Sequence, residues 1–240
     1  MKKNNIDRLM TWARNLRSPE LFSALERHSR GDVLDVGGWD FFETVRADPR
    51  IVFKTWTSLE EGERLLETSD ARYRAVVGNG ENMAFPDASF DTVLNIQVLE
   101  HTFDPLAMVR EISRVLRPGG AAIFLIPQTS VLHHPPKHYY NFTRFWIQKA
   151  APTAGLEIVE LLPMGGRWTS TASHLVHFFF QAFRAPGYST AEDRRGPLFY
   201  LLLPLMCLYA ALSVPVCLLL SLGDLSEEAN NHLVVARKPG

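Results

Sequence analysis

A chain of 240 residues with 46% hydrophobic and 21% charged residues carries enough apolar material for one sizeable core, so a single decorated domain is expected. A formal charge of -1 with no basic stripe removes the electrostatic case for nucleic acid as a main partner, because neutralising phosphates needs a basic excess. The two cysteines, Cys207 and Cys217, lie inside one apolar stretch, which excludes a disulfide framework and suits a reducing compartment.

The opening "MKKNNIDRLMTWARNLRS" has basic residues but no apolar run behind them. It does not read as a secretory signal, and the body of the protein is expected in the cytoplasm. Ile6, Leu9, Met10, Ala13 and Leu16 recur at helical spacing, and Pro19 opens a second helical pattern through Leu21, Phe22 and Leu25. Residues 1–30 therefore read as a helical cap. "DVLDVG" (Asp32 to Gly37) follows, a short β-branched run ending in glycine, as a buried strand feeding a tight turn should be. "RIVFKTW", "RAVVGN", "FDTVLNIQ" and "AAIFLIP" are four more strand candidates, with helical patterns between several of them. That alternation predicts a parallel sheet covered on both faces.

In "PLAMVREISRVL", Leu106, Val109, Ile112, Val115 and Leu116 share one helical face while Arg110, Glu111 and Arg114 face out. "RPGG" stops this helix, since Pro118 presets one turn dihedral and Gly119 accepts a positive one. A polar, aromatic segment, "QTSVLHHPPKHYYNFT", comes after the fifth strand, with Thr143 placed to N-cap the next helix. "GLEIVELLP" reads as a sixth strand and "HLVVARKPG" as a seventh. There is no internal repeat and no low-complexity linker.

A strand ending "LDVGG" brings glycines to the carboxyl edge of an open sheet, where backbone can approach a nucleotide-like ligand; an ordinary strand exit would look the same. The next block distinguishes the two. "GNGENMAFPDASFDTVLNIQVLEHTFDPLAMVREISRVLRPGGAAIFLIP" (Gly78 to Pro127) resembles the central block of class I S-adenosylmethionine-dependent methyltransferases, in its Gly-Asn loop, Phe-Pro turn, "FD" before a strand, "VLEH" after it and "RPGG". The resemblance implies a Rossmann-like seven-stranded α/β sheet with the last strand antiparallel and helices on both faces. Residues 31–162 plus 231–240 would form this core, with residues 163–230 as a hydrophobic helical insertion between strands 6 and 7. The implied cofactor is S-adenosyl-L-methionine. Asp35 with the backbone at Gly37 and Gly38 would dock its methionine end, Asn79 would hold the adenine amino group, and Gly80 would meet the ring. Gln97 and Val98 would border the methylsulfonium, although Gln97 also reads as a strand-end cap.

Two departures from the family pattern stand out. "GGWDFF" puts Trp39 and Asp40 where a third glycine is usual. The acidic residue that hydrogen-bonds both ribose hydroxyls at the end of the second strand has no evident counterpart in "VFKTWTSLEE"; Thr57 is nearest by spacing, and Glu60 comes second.

Methyl transfer to oxygen or nitrogen needs mainly alignment, with a general base only when the nucleophile is protonated. His138, in the segment that many family members place over the active site, is the first candidate for base or substrate-orienting group. His101 of "LEH" is the second, and each also has a purely structural reading. His133 and His134 share the neighbourhood without a distinguishing signal. No metal is expected, because neither cysteine is near and the histidine spacing fits no closed tetrahedral pattern.

Leu198 to Leu222 contains no charged residue and, at about 1.5 Å per residue, is just long enough as one helix to cross a bilayer core of about 30 Å. A single crossing would strand the seventh strand on the wrong side of the membrane. Pro204 and Pro215 suggest instead a broken or re-entrant segment or two short interfacial helices. Pro197 to Asp224 thus reads as a contact with the membrane surface, giving a peripheral or monotopic protein. An internal lid or a homodimer contact is the alternative. The expected function is methyl transfer to a small-molecule or lipid-linked acceptor. A non-catalytic module of the same fold is the competing reading, motivated by the short glycine loop and the missing ribose acid.

Overall fold

The computed structural model describes residues 19–62, 65–190 and 193–240; the helical pattern expected over Ile6 to Leu16 lies outside them. The sheet is built from β1 (Asp32–Val36), β2 (Thr55–Glu60), β3 (Tyr73–Val77), β4 (Phe90–Ile96), β5 (Leu116–Pro127), β6 (Glu157–Met164) and β7 (Asn231–Arg237). Its order is β3-β2-β1-β4-β5-β7-β6, with β1 to β5 parallel and β7 antiparallel to both β5 and β6. This is the seven-stranded arrangement that the strand count and the methyltransferase resemblance together imply.

The central strands read as nearly continuous apolar runs because both of their faces are covered. Leu34, Val36, Ala122, Phe124, Ile126, Val234 and Ala236 point into one core layer, and Val33, Ile123, Leu125, Leu233 and Val235 into the other. The second layer is completed by α1 (Pro19–His28), through Leu21, Ala24 and Leu25, and by the short α2 (Phe41–Val45). The first is covered by α3 (Pro105–Val115) and α4 (Arg144–Thr153). Asp104 caps α3 by accepting from Ala107 N at 3.0 Å. Thr143 sits at the N-cap of α4 as expected, but without a side-chain capping bond.

Two local expectations are corrected. The second strand starts at Thr55 and not at Arg50, since Trp56 to Glu60 pair with both β1 and β3 or lie in register with them, while Arg50 to Lys54 form the approach. Glu111 and Arg114 do not simply face solvent. Glu111 accepts from Met83 N at 2.7 Å, and the Arg114 guanidinium donates to the carbonyls of Met83 and Phe85 and to Asp87, so α3 clamps the loop that follows β3.

Between β6 and β7 the chain makes a hairpin of α5 (Arg167–Ala182) and α6 (Pro197–Leu220) packed against each other. Its two ends meet at the sheet: the Asp224 carboxylate accepts from Trp168 N, Thr169 N and Thr169 Oγ1 at 2.6–2.9 Å, which ties the exit of α6 to the start of α5. The expectation of a broken segment is corrected as well. α6 is one helix of 24 residues with Pro204 and Pro215 inside it, about 36 Å long at ~1.5 Å per residue. A proline removes one donor and tends to kink a helix, but the remaining ladder bonds carry it through.

Candidate functional site

The carboxyl ends of β1, β2 and β4 converge on a cradle. Gly37 adopts a positive φ of 72°, donates its N–H to Leu59 O at 2.8 Å, and packs so closely under Val98 that a Cβ would come within 2.8 Å of its side chain. At Gly38 a Cβ would fall 1.7 Å from Asp35 Oδ2. Only glycine fits either place, and the result is bare backbone beside a carboxylate.

That carboxylate is the most unusual group in the sheet. Asp35 is 0% exposed, and neither of its oxygens makes a well-formed hydrogen bond, the indole N–H of Trp56 being the donor close by. Burial, reinforced by the negative charge of nearby Glu60, pushes its pKa well above the usual carboxylate range. A buried carboxyl without partners is costly unless a ligand supplies them, and a cationic donor such as an α-ammonium group fits it.

Thr57, expected at the ribose site, is corrected. It is the third residue of β2, is buried, and its hydroxyl accepts from Arg74 Nε at 2.8 Å. The later start of β2 puts Glu60 at the strand's carboxyl end, where its Oε1 accepts from Trp39 N at 2.7 Å and burial raises its pKa. Glu60 occupies the strand-end place that the ribose-binding acid requires. The strand begins five residues later than "RIVFKTW" suggested, which moves its carboxyl end from Trp56 to Glu60.

Asn79 lies in the loop after β3, its Oδ1 accepting from Glu81 N at 2.7 Å, and a Cβ at Gly80 would come 2.5 Å from Met108 Cε. Gln97 has a φ of 60°, and its side-chain amide donates to Asn231 Oδ1 of β7. It ties β4 to β7, the strand-end role weighed beside the cofactor role.

Beyond Val98 a single 3-10 turn, Leu99–His101, carries a second buried acid. Glu100 is 0% exposed with both carboxylate oxygens unpartnered, and burial pushes its pKa up to about 8. The segment after β5 folds over this turn, with Tyr139 N donating to Glu100 O at 2.8 Å, and brings the scattered histidines together. The His101 ring lies 4.8 Å from that of His133 and 5.6 Å from that of His138, with His133 and His138 at 4.5 Å. Burial lowers the pKa of His101 and takes that of His133 down to about 4. His138 Nδ1 accepts from His133 N at 3.2 Å, so a neutral His138 carries its proton on Nε2 and has its lone pair engaged, an arrangement opposed to the general-base role first assigned to it. On the far side the segment meets the hairpin: His174 Nε2 bonds to Thr129 O, and His134 N donates to Gly187 O.

Fold and cradle define the class: an open α/β sheet with a glycine turn and buried acids at the carboxyl edge of its central strands, the edge where sheets of this kind take nucleotide-type ligands. Residues 44–124 match the model of a methyltransferase domain, in keeping with the resemblance to class I S-adenosylmethionine-dependent methyltransferases. A "probable S-adenosylmethionine-dependent methyltransferase" of Mycolicibacterium smegmatis is 32% identical over 142 residues, covering 55% of this chain and 54% of that protein. The 2-methyl-6-phytyl-1,4-hydroquinone methyltransferase 1 of rice is 25% identical over 178 residues, covering 65% and 50%. The chain thus spans about half the length of the curated relatives it matches. Among solved structures, Haemonchus contortus phosphoethanolamine N-methyltransferase 2, in complex with S-adenosyl-L-methionine, superposes with a TM-score of 0.58 at 16% identity, covering 93% of this chain and 53% of that one, a likeness of fold.

Proposed function

We propose that the protein transfers a methyl group from S-adenosylmethionine to a small-molecule acceptor, and that the acceptor is lipid-linked and met at a membrane surface. The observation that carries the first half is Asp35, buried and unpartnered beneath the bare backbone of Gly37 and Gly38. In this reading Asp35 faces the cofactor's ammonium group, Glu60 takes the ribose hydroxyls, Asn79 and Gly80 flank the adenine, and Val98 borders the methylsulfonium. The cofactor supplies the electrophilic methyl; the chain's own residues hold it and exclude water. Glu60 at the end of β2 also weakens the competing view of a non-catalytic module, which rested partly on a missing ribose acid.

The second half rests on the hairpin. Leu201, Leu205, Tyr209, Leu212 and Leu219 are each more than 60% exposed, and only 11% of the most apolar window of α6 is buried. A patch of this size calls for a cover. Both ends of the hairpin return to one sheet edge, so it lies on or dips into one leaflet and does not carry β7 across. It also touches the histidine segment, which sets the acceptor side of the site next to the lipid face. A relative named for a hydroquinone with a phytyl tail is in keeping with an acceptor of polar head and apolar tail.

Calorimetric titration with S-adenosylhomocysteine tests the cofactor half, with one site per chain expected; no heat at high micromolar ligand would favour the non-catalytic module. Comparing methylated lipids in cells with and without the gene tests the acceptor half.

A further inference from the structure

The cofactor cradle makes no use of Glu100, yet this carboxylate is as deeply buried as Asp35 and as lacking in partners. The side chains nearest to it supply what it lacks. His101 Nε2 stands 3.9 Å from Glu100 Oε1, and one ligand atom each from Glu100, His101 and His133 lie within 4.8 Å of one another. The other nitrogen of each ring is already assigned. His101 Nδ1 bonds to Lys137 O at 2.6 Å and His133 Nδ1 to Val131 O at 2.9 Å. Carbonyls only accept, so both Nδ1 atoms carry the proton and both Nε2 atoms keep a free lone pair. An imidazole held by Nδ1–H to a carbonyl is the outer-shell arrangement that orients histidine for a metal.

We propose that Glu100, His101 and His133 bind a divalent first-row metal ion, of which zinc suits the ligands best. Two neutral imidazoles and one carboxylate are a borderline nitrogen and oxygen set, and three protein ligands leave a coordination position open, as in reactive zinc sites and unlike closed structural ones. The ion neutralises the buried Glu100 and gives both lone pairs an acceptor. A shared ion also accounts for a buried carboxylate and two imidazoles that converge on one spot without hydrogen-bonding to each other there. If the methyltransferase reading holds, an acceptor oxygen would fill the open position and release its proton more easily. That clause depends on the proposed function, whereas the metal site does not.

The full-length protein, stripped with chelator and dialysed, is titrated with Zn²⁺ by calorimetry and with Co²⁺ by visible absorption, without cofactor. One ion per chain is expected, with Co²⁺ bands of low-symmetry nitrogen and oxygen coordination and a rise in melting temperature. Glu100→Gln and His133→Ala should each weaken binding by more than about 100-fold, the loss expected of a direct ligand, against the 10–100-fold typical of outer-shell changes. His28→Ala, remote and paired with Glu160, should bind as the parent does. Binding equal in Glu100→Gln and parent, or binding abolished equally by His28→Ala, would overturn the site. So would no binding at millimolar metal by a parent that still binds S-adenosylhomocysteine; that cofactor arm separates failure of the metal site from failure of the methyltransferase reading.

Discussion

The sheet and the hairpin break opposite rules. In the sheet apolar side chains are buried on both faces, and among the polar groups enclosed with them are two acids, Asp35 of β1 and Glu100 of the turn after β4. In α6 apolar side chains such as Leu201, Leu205, Leu212 and Leu219 point outward, and only one stripe, through Leu203, Ala210 and Cys217, is partly or fully buried. In the proposed function each violation marks a surface that meets something outside the chain: hydrogen-bond donors or cations for the acids, lipid for the leucines. An orphaned polar atom and an uncovered apolar face are the same kind of signal, read in opposite dielectrics.

The sharpest way to break this comparison is at Asp35. Asp35→Ala should weaken S-adenosylhomocysteine binding by about 100-fold, since a charged hydrogen-bonding group contributes about 1.5–3 kcal/mol; unchanged affinity in calorimetry would move the cofactor elsewhere. Asp35→Asn should bind as poorly yet melt higher than the parent without ligand. Here the sign follows from the direction of the shift. Asp35 has its folded-state pKa raised above 3.8, so the folded form holds its proton more tightly, and stability falls as pH rises from the unfolded value towards the folded one. Asparagine does not ionise. Its advantage in melting temperature should therefore be absent near pH 3 and grow from about pH 4 upward.

On the hairpin, replacing Leu202, Leu205 and Leu219 together by serine should release the protein from vesicles. Even with only part of the ~1.5–3 kcal/mol per fully buried leucine, three of them predict a drop of about 100-fold in partitioning by flotation, with cofactor affinity unchanged. A parent that stays soluble and monomeric without detergent or vesicles would turn the apolar face into a lid.

A finer test separates two neighbours on β2. Glu60→Gln should lower cofactor affinity about tenfold, a loss of ~1.4 kcal/mol, while Thr57→Ser should leave it alone; the reverse result would restore Thr57 to the ribose site. The smallest effect is expected where the two regions join. Asp224→Ala removes the cap of α5 and should cost about 1 kcal/mol of stability in denaturant unfolding without altering cofactor binding.

Much of this architecture is legible along the chain. Strand number and the hydrophobic excursion after strand 6 follow from local runs, because apolar periodicity and glycine turns are written in consecutive residues, whereas the antiparallel last strand and the place of Asp35 come only with the methyltransferase resemblance. The strand-end acid is half legible: "TWTSLE" contains it, but only pairing with β1 and β3 decides which residue of an apolar run is the last in the sheet. The continuity of α6 through two prolines likewise depends on the whole helix and its contact with α5, which local proline rules do not see. Least legible is the cluster of Glu100, His101 and His133. Its members stand 33 residues apart along the chain at their widest, and the sequence spacing matches no metal motif. They meet because the segment after β5 folds back over the turn after β4, and the burial that raises Glu100 and lowers His133 exists only once that segment has closed. Chain order determines which groups are available, whereas desolvation and convergence are properties of the folded state alone.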